Sequence, residues 1–190
     1  LLRNANHTLP IELNVTERPT ILVVGENAIK MMTVGGGSSS LKAKYEISPL
    51  QGIQERAGAL ANVQYVRGYV GDIGGEYNGV TTGQSLQDDR TPEQLTAEAV
   101  EAAKKADYVI FVGGMNKAHN QDCEDGDRLH YELPYAQDQL ITALAAVNDH
   151  VIFVSISGNA HGMPWCNDVE AILQAWYSGS ETGHAVADVI

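Results

Sequence analysis

The sequence predicts an α/β domain: a three-layer sandwich with a mostly parallel sheet of five or six strands and helices on both faces. Three observations carry this. The strongest strand candidates are apolar on both faces, as buried parallel strands are, without the alternation of a half-solvated sheet. Helix-period segments alternate with them along the chain. The loops that follow the strands open on glycine, at Gly25, Gly113 and Gly158, where ligands meet open sheets of this kind.

Residues 1–19 are polar and irregular, broken by Pro10 and Pro19, and read as a linker; residues 20–190 read as the domain. A first strand is expected at about Thr20–Val24, and a glycine–serine loop, Gly35–Ser40, follows. Ser48-Pro49 starts a helix whose inner face is Leu50, Ile53 and Ala57, and a strand near Val63–Tyr69 closes the βαβ unit. Residues 70–90 are a loop rich in Gly and Asp. Thr91-Pro92-Glu93-Gln94 then opens a helix to about Lys105, with Thr91 and Gln94 forming a capping box. A third strand, Tyr108–Val112, leads into a long loop over 113–133. Pro134 is expected to start a helix to about Val147, with Leu140, Ile141, Leu144 and Val147 inward. A fourth strand follows at His150–Ser157, then a shorter one near Ala171–Tyr177 and a last helix from about Glu181.

The composition narrows the function. With 44% hydrophobic and 19% charged residues in 190, the chain is globular rather than disordered. The net charge of −12, from 12 basic and 24 acidic residues, repels a phosphate backbone and argues against nucleic acid. No apolar run approaches the ~18 residues of a membrane span. Leu1 in first place suggests a piece of a longer polypeptide. Cys123 and Cys166 are either paired or free. Asn6-His7-Thr8 and Asn14-Val15-Thr16 match the glycosylation acceptor pattern, which matters only in a eukaryotic secretory pathway.

Two loops hold the candidate chemistry. Gly35–Ser40 lacks the Lys-Ser/Thr of a phosphate loop, so it is either a flexible surface loop or a backbone-lined wall that a ligand or second domain approaches closely. The serine segments Ser155–Gly158 and Ser178–Ser180 both miss the Gly-x-Ser-x-Gly nucleophile elbow. Asp122-Cys123-Glu124-Asp125-Gly126-Asp127-Arg128 packs four carboxylates into six residues, which repel unless compensated. It reads as a solvated acidic loop, as a calcium loop short of the full EF-hand spacing, or as the seat of a general acid whose neighbours keep it protonated. Asp127 and Arg128 would form an ion pair bracing the loop. Trp165 and Trp176 are candidate sugar platforms or core residues.

In this loop the chain resembles the C-terminal domain of glycoside hydrolase family 3, of the β-glucosidase type. The resemblance is collinear over nearly the whole chain: Leu1-Leu2-Arg3-Asn4 to Leu9-Pro10, Ile21–Asn27 with Gly35-Gly36-Gly37-Ser38-Ser39, Ser48-Pro49-Leu50, Ala106–Val109 with Gly113, Glu124–Arg128 with Leu133-Pro134 and Gln137, Ser157-Gly158, Met163-Pro164-Trp165, and Ala175–Gly183. The resemblance implies a retaining exo-β-glycosidase acting on a β-glucoside or oligosaccharide. A missing N-terminal (β/α)8-type barrel would supply the Asp nucleophile, and Glu124 here would be the acid/base. Gly36, Gly37, Ser38 and Ser39 would line the pocket, and Asp127 and Arg128 would support the acid loop. It implies no cofactor and no metal, a secreted or periplasmic enzyme of polysaccharide degradation, and leaves a homo-oligomer open. A β-xylosidase or other exo-β-glycosidase of the family, or a non-catalytic sugar-binding domain, is the alternative. Asp122-Cys123 departs from the usual residues before the acid, and Cys123 adds a bridge to Cys166 to the expectations.

Overall fold

Strand pairing in the computed structural model follows the apolar runs. Residues 1–33, 41–71, 76–77, 80–81, 83–118, 120–124 and 126–190 are described, the side chains of residues 76, 77, 80, 81 and 127 excepted. Six strands form one sheet: β1 (Arg3–Asn4), β2 (Thr20–Val24), β3 (Asn62–Val66), β6 (Tyr108–Gly114), β9 (Val151–Ile156) and β10 (Ala171–Gln174), in the order β1-β10-β9-β6-β2-β3. All neighbours are parallel except β1, which runs antiparallel to β10 with Arg3 opposite Ile172. Two antiparallel hairpins lie outside it: β4 (Glu76–Tyr77) with β5 (Val80–Thr81), and β7 (Asp122–Cys123) with β8 (Gly126–Asp127).

The period-two pleat sorts the inner strands onto two cores. Leu22, Val24, Val109, Phe111, Val151 and Phe153 face one side, under helices α2 (Pro92–Ala103) and α3 (Gln137–Ala145). Ile21, Val23, Ile110, Val112, Ile152 and Val154 face the other, under α1 (Pro49–Ala57) and α4 (Thr182–Val189). This is the predicted sandwich, doubly covered and mostly parallel. Helices α1 and α4 approach so closely that a Cβ added at Gly52 would lie 2.1 Å from the Gly183 carbonyl oxygen, so only glycine fits there. No helix among the described residues is long and apolar enough to cross a membrane.

Both predicted caps form. Ser48 accepts from the Gln51 N–H, and Thr91 and Gln94 close a reciprocal capping box. Three expectations need correction. Residues 3–4 of the expected linker are an edge strand, and the Arg3 side chain donates to the Val169 carbonyl at 2.8 Å. Pro134 does not start α3: Tyr135 and Ala136 take left-handed backbone (φ 61 and 56), and the helix begins at Gln137. The cause is tertiary. The Gln137 amide mimics a strand, accepting from the Gly114 N–H (2.9 Å) and donating to the Gly114 carbonyl (2.8 Å), which pins the helix start to the end of β6. The strands also stop earlier than expected after β3 and β10, at Val66 and Gln174, while β6 runs on to Gly114.

Candidate active site

Beyond the carboxyl ends of β6, β9 and β10, three loops converge on the acidic segment. After β6, Met115 to Gln121 lead into the β7–β8 hairpin, in which Asp122 pairs with Asp127 and Cys123 with Gly126. Its base is tied down by the Asp122 N–H on the Asn116 carbonyl (3.0 Å), and by Asn116 and Gln121, which both donate to the Tyr135 hydroxyl. Glu124 heads the turn and is exposed.

The main anchor is Asp122. One carboxylate oxygen accepts from the Gly158 N–H at 2.7 Å and from the Tyr177 hydroxyl at 2.8 Å; the other accepts from the Asn159 amide at 2.9 Å. Gly158 and Asn159 follow β9, and Tyr177 follows β10. Lys117 lies with its ammonium 4.5 Å from the centre of the Tyr177 ring, a cation–π distance. Its partial burial lowers its pKa, opposed by the carboxylates of Glu46 and Asp122.

Tyr177 also faces a cavity of about 170 Å³ with Trp176, Met31, Thr33 and Glu46 in its wall. Glu46 closes one side of it by accepting from the Met32 and Thr33 N–H groups (2.9 and 3.2 Å) and from the Thr33 hydroxyl. Trp176 is 57% exposed and holds a left-handed backbone at φ 58.

The predicted site residues fare differently. Glu124 stands at the sheet's carboxyl edge, where ligands meet this fold. Arg128 donates to the Ala160 carbonyl and lies 5.6 Å from the Tyr131 ring centre. The Asp127 side chain, and with it the expected Asp127–Arg128 ion pair, lies outside the described residues, as do Asp125 and Gly36, Gly37, Ser38 and Ser39. The Cys123–Cys166 bridge is not formed; both thiols are free. The tryptophans part company. Trp165 is core, buried against Phe153 with ring centres 4.6 Å apart and its indole N–H on Asp138 at 2.7 Å, while Trp176 is exposed at the cavity.

Asp122, Asn159, Tyr177 and Lys117 were missed as a group. A signal existed for Asp122, since crowded carboxylates demand donors, but its donors lie 36 to 55 residues away in the chain.

Fold and site together define a class: an α/β sandwich that presents a carboxylate-bearing hairpin at the open edge of its sheet. Residues 1–190 match the model of the glycosyl hydrolase family 3 C-terminal domain, and the chain belongs to that family. It is 46% identical over 176 residues to Beta-glucosidase BoGH3A of Bacteroides ovatus, an alignment covering 90% of this chain and 22% of the relative. Among solved structures it resembles the GH3 β-glucosidase of Bifidobacterium adolescentis, with TM-score 0.76 and 29% identity over 100% of this chain and 24% of that one. A Kluyveromyces marxianus β-glucosidase shares the fold at TM-score 0.84 and 20% identity, over 99% of this chain and 37% of that one. The chain thus spans about a fifth of the length of the curated relative it matches.

Proposed function

We propose that this domain supplies the general acid/base of a retaining exo-β-glucosidase that removes terminal non-reducing β-D-glucosyl residues. Glu124 is that residue. The observation that carries the reading is its position: an exposed carboxylate heading a hairpin that Asp122 ties to the carboxyl ends of two other strands. Exposure suits a group that must meet a sugar held by a second domain. That domain is a (β/α)8-type barrel of the same polypeptide, in keeping with relatives several times longer than this chain.

In the first step Glu124 protonates the glycosidic oxygen while the barrel's Asp attacks the anomeric carbon, which requires the two carboxyl groups roughly 5–5.5 Å apart. In the second, Glu124 takes a proton from water as that water displaces the enzyme carboxylate. No cofactor enters this chemistry. The glycine–serine loop lines the sugar pocket, and the enzyme works outside the cytoplasm on β-glucosides or oligosaccharides.

The test is Glu124→Ala in the full-length enzyme, assayed on aryl β-glucosides. Turnover of substrates with poor leaving groups should fall by about 10²–10⁴-fold, the usual contribution of general acid–base catalysis. On a 2,4-dinitrophenyl β-glucoside, where breakdown of the glycosyl-enzyme limits turnover, azide should replace the activated water, restore the rate and give a β-glucosyl azide. Near-normal turnover with no azide product would remove Glu124 from the mechanism. A parallel panel of aryl β-xylosides separates the β-xylosidase alternative.

A further inference from the structure

We infer that Asp122 is the positioning residue of the acid/base hairpin, holding Glu124 at the angle from which it reaches the glycosidic oxygen. This rests on the reading of Glu124 given above and assigns a residue that acts only through it.

The hairpin cannot place itself. Its arms are two residues each, and a two-stranded ribbon of that size has little stability of its own. Its orientation must come from contacts at its base, and the Asp122 carboxylate is where the loops after β6, β9 and β10 meet. Three donors from two other loops fill it, at 2.7, 2.8 and 2.9 Å. The three donors differ in stiffness: one is a backbone N–H next to the rigid, fully buried β9, one a phenol hydroxyl whose ring backs Lys117, and one a side-chain amide. Only Cys123 separates this anchor from Glu124, so a tilt at Asp122 passes directly to the acid. Misplacing a catalytic group by about 1 Å can cost about 10²-fold in rate.

Asparagine at 122 keeps the volume but gives up one acceptor oxygen. Its NH2 group must then face the Gly158 N–H and Tyr177 hydroxyl, or the Asn159 amide, and at least one bond is lost. Tyr177→Phe removes one bond and leaves the carboxylate in place.

The experiment uses the full-length enzyme with Asp122→Asn, Tyr177→Phe and Glu124→Ala side by side. The substrates are phenyl β-glucoside, whose departure needs a proton, and 2,4-dinitrophenyl β-glucoside, whose departure does not. For Asp122→Asn the expected result is a fall of about 10- to 100-fold in kcat/KM on the phenyl substrate and less than about 3-fold on the dinitrophenyl one, with a changed pH profile on the former. Tyr177→Phe should show the same selectivity more weakly, and it decides the matter if Asp122→Asn fails to fold. Equal losses on both substrates, or no loss on either, while Glu124→Ala behaves as an acid/base knockout, would overturn the positioning role. If Glu124→Ala itself shows no leaving-group dependence and no azide rescue, the acid/base reading falls and the role of Asp122 falls with it.

Discussion

Two carboxylates sit just beyond the carboxyl ends of neighbouring strands, and they are held in opposite ways. Glu26 follows β2, where Gly25 (φ 117) turns the chain against Val112 too closely for any Cβ. It is fully buried, and its oxygens accept from the Arg67 guanidinium (2.8 Å), the Lys30 ammonium (3.2 Å) and the Gly71 N–H (2.6 Å). Arg67, also buried, donates onward to the Leu86 carbonyl. Asp122, beyond β6, is only half-buried, and the donors recorded on it are neutral. Lys117, the nearby cation, is placed over the Tyr177 ring. One carboxylate is matched by formal charge and sealed from water. The other is fixed in direction by neutral dipoles while its surroundings stay open. The first arrangement clamps a loop; the second aims one.

The largest effect should come from breaking the sealed cluster. Glu26→Ala leaves the Arg67 charge buried without its partner, which typically costs about 3–5 kcal/mol. Urea unfolding of the full-length protein measures this, and a loss under about 1 kcal/mol would mean the cluster is wetter than its burial indicates. The leaving-group dependence of the folded fraction should not change.

Asp122→Asn should invert that ratio. Losing one or two bonds of a half-buried acceptor costs about 1–2 kcal/mol in the same unfolding measurement. If Asp122→Asn proved the more destabilising of the two substitutions, the distinction between clamp and aiming device would fail.

The contrast also shows what a sequence can reveal. The caps at Ser48 and Thr91 were legible because donor and acceptor lie within three residues of each other. The inner strands were legible because burial on both faces removes the polar alternation. Glu26 was not: a Glu after a strand reads as a loop residue, and its partner Arg67 is 41 residues on. Nor was the delayed start of α3, since Pro134 is a good local start and only the long-range tie of Gln137 to Gly114 displaces it. The β1 edge strand is two residues held mainly by backbone bonds, which leave no side-chain pattern. The crowding of carboxylates over 122–127 was visible in the sequence, but the donors that anchor Asp122 are assembled from the ends of other strands.

A third ionic group sharpens the comparison by removing burial from it. On the surface, His184 of α4 bridges Glu181 (2.6 Å) and Glu55 of α1 (2.8 Å), and Tyr45 donates to Glu181. Hydrogen bonds that the protonated ring donates to Glu55 and Glu181 raise the His184 pKa above its ordinary 6.5. The His184 bond lowers Glu55, and the Tyr45 and His184 bonds lower Glu181, from 4.5. The signs set a window. The histidine contribution is complete below its unfolded value of about 6.5 and is lost as pH rises through the raised folded value. The glutamate contributions are complete above about 4.5 and are lost as pH falls through the depressed values. His184→Ala should therefore lower the melting temperature most between about pH 4.5 and 6.5 and make no difference well above the raised value. Because all three groups are exposed, the effect should be the smallest of the set and should vanish in about 1 M salt, where the Debye length is near 3 Å. A deficit that persists in salt or at alkaline pH would show that His184 acts by packing between α1 and α4, and not by charge.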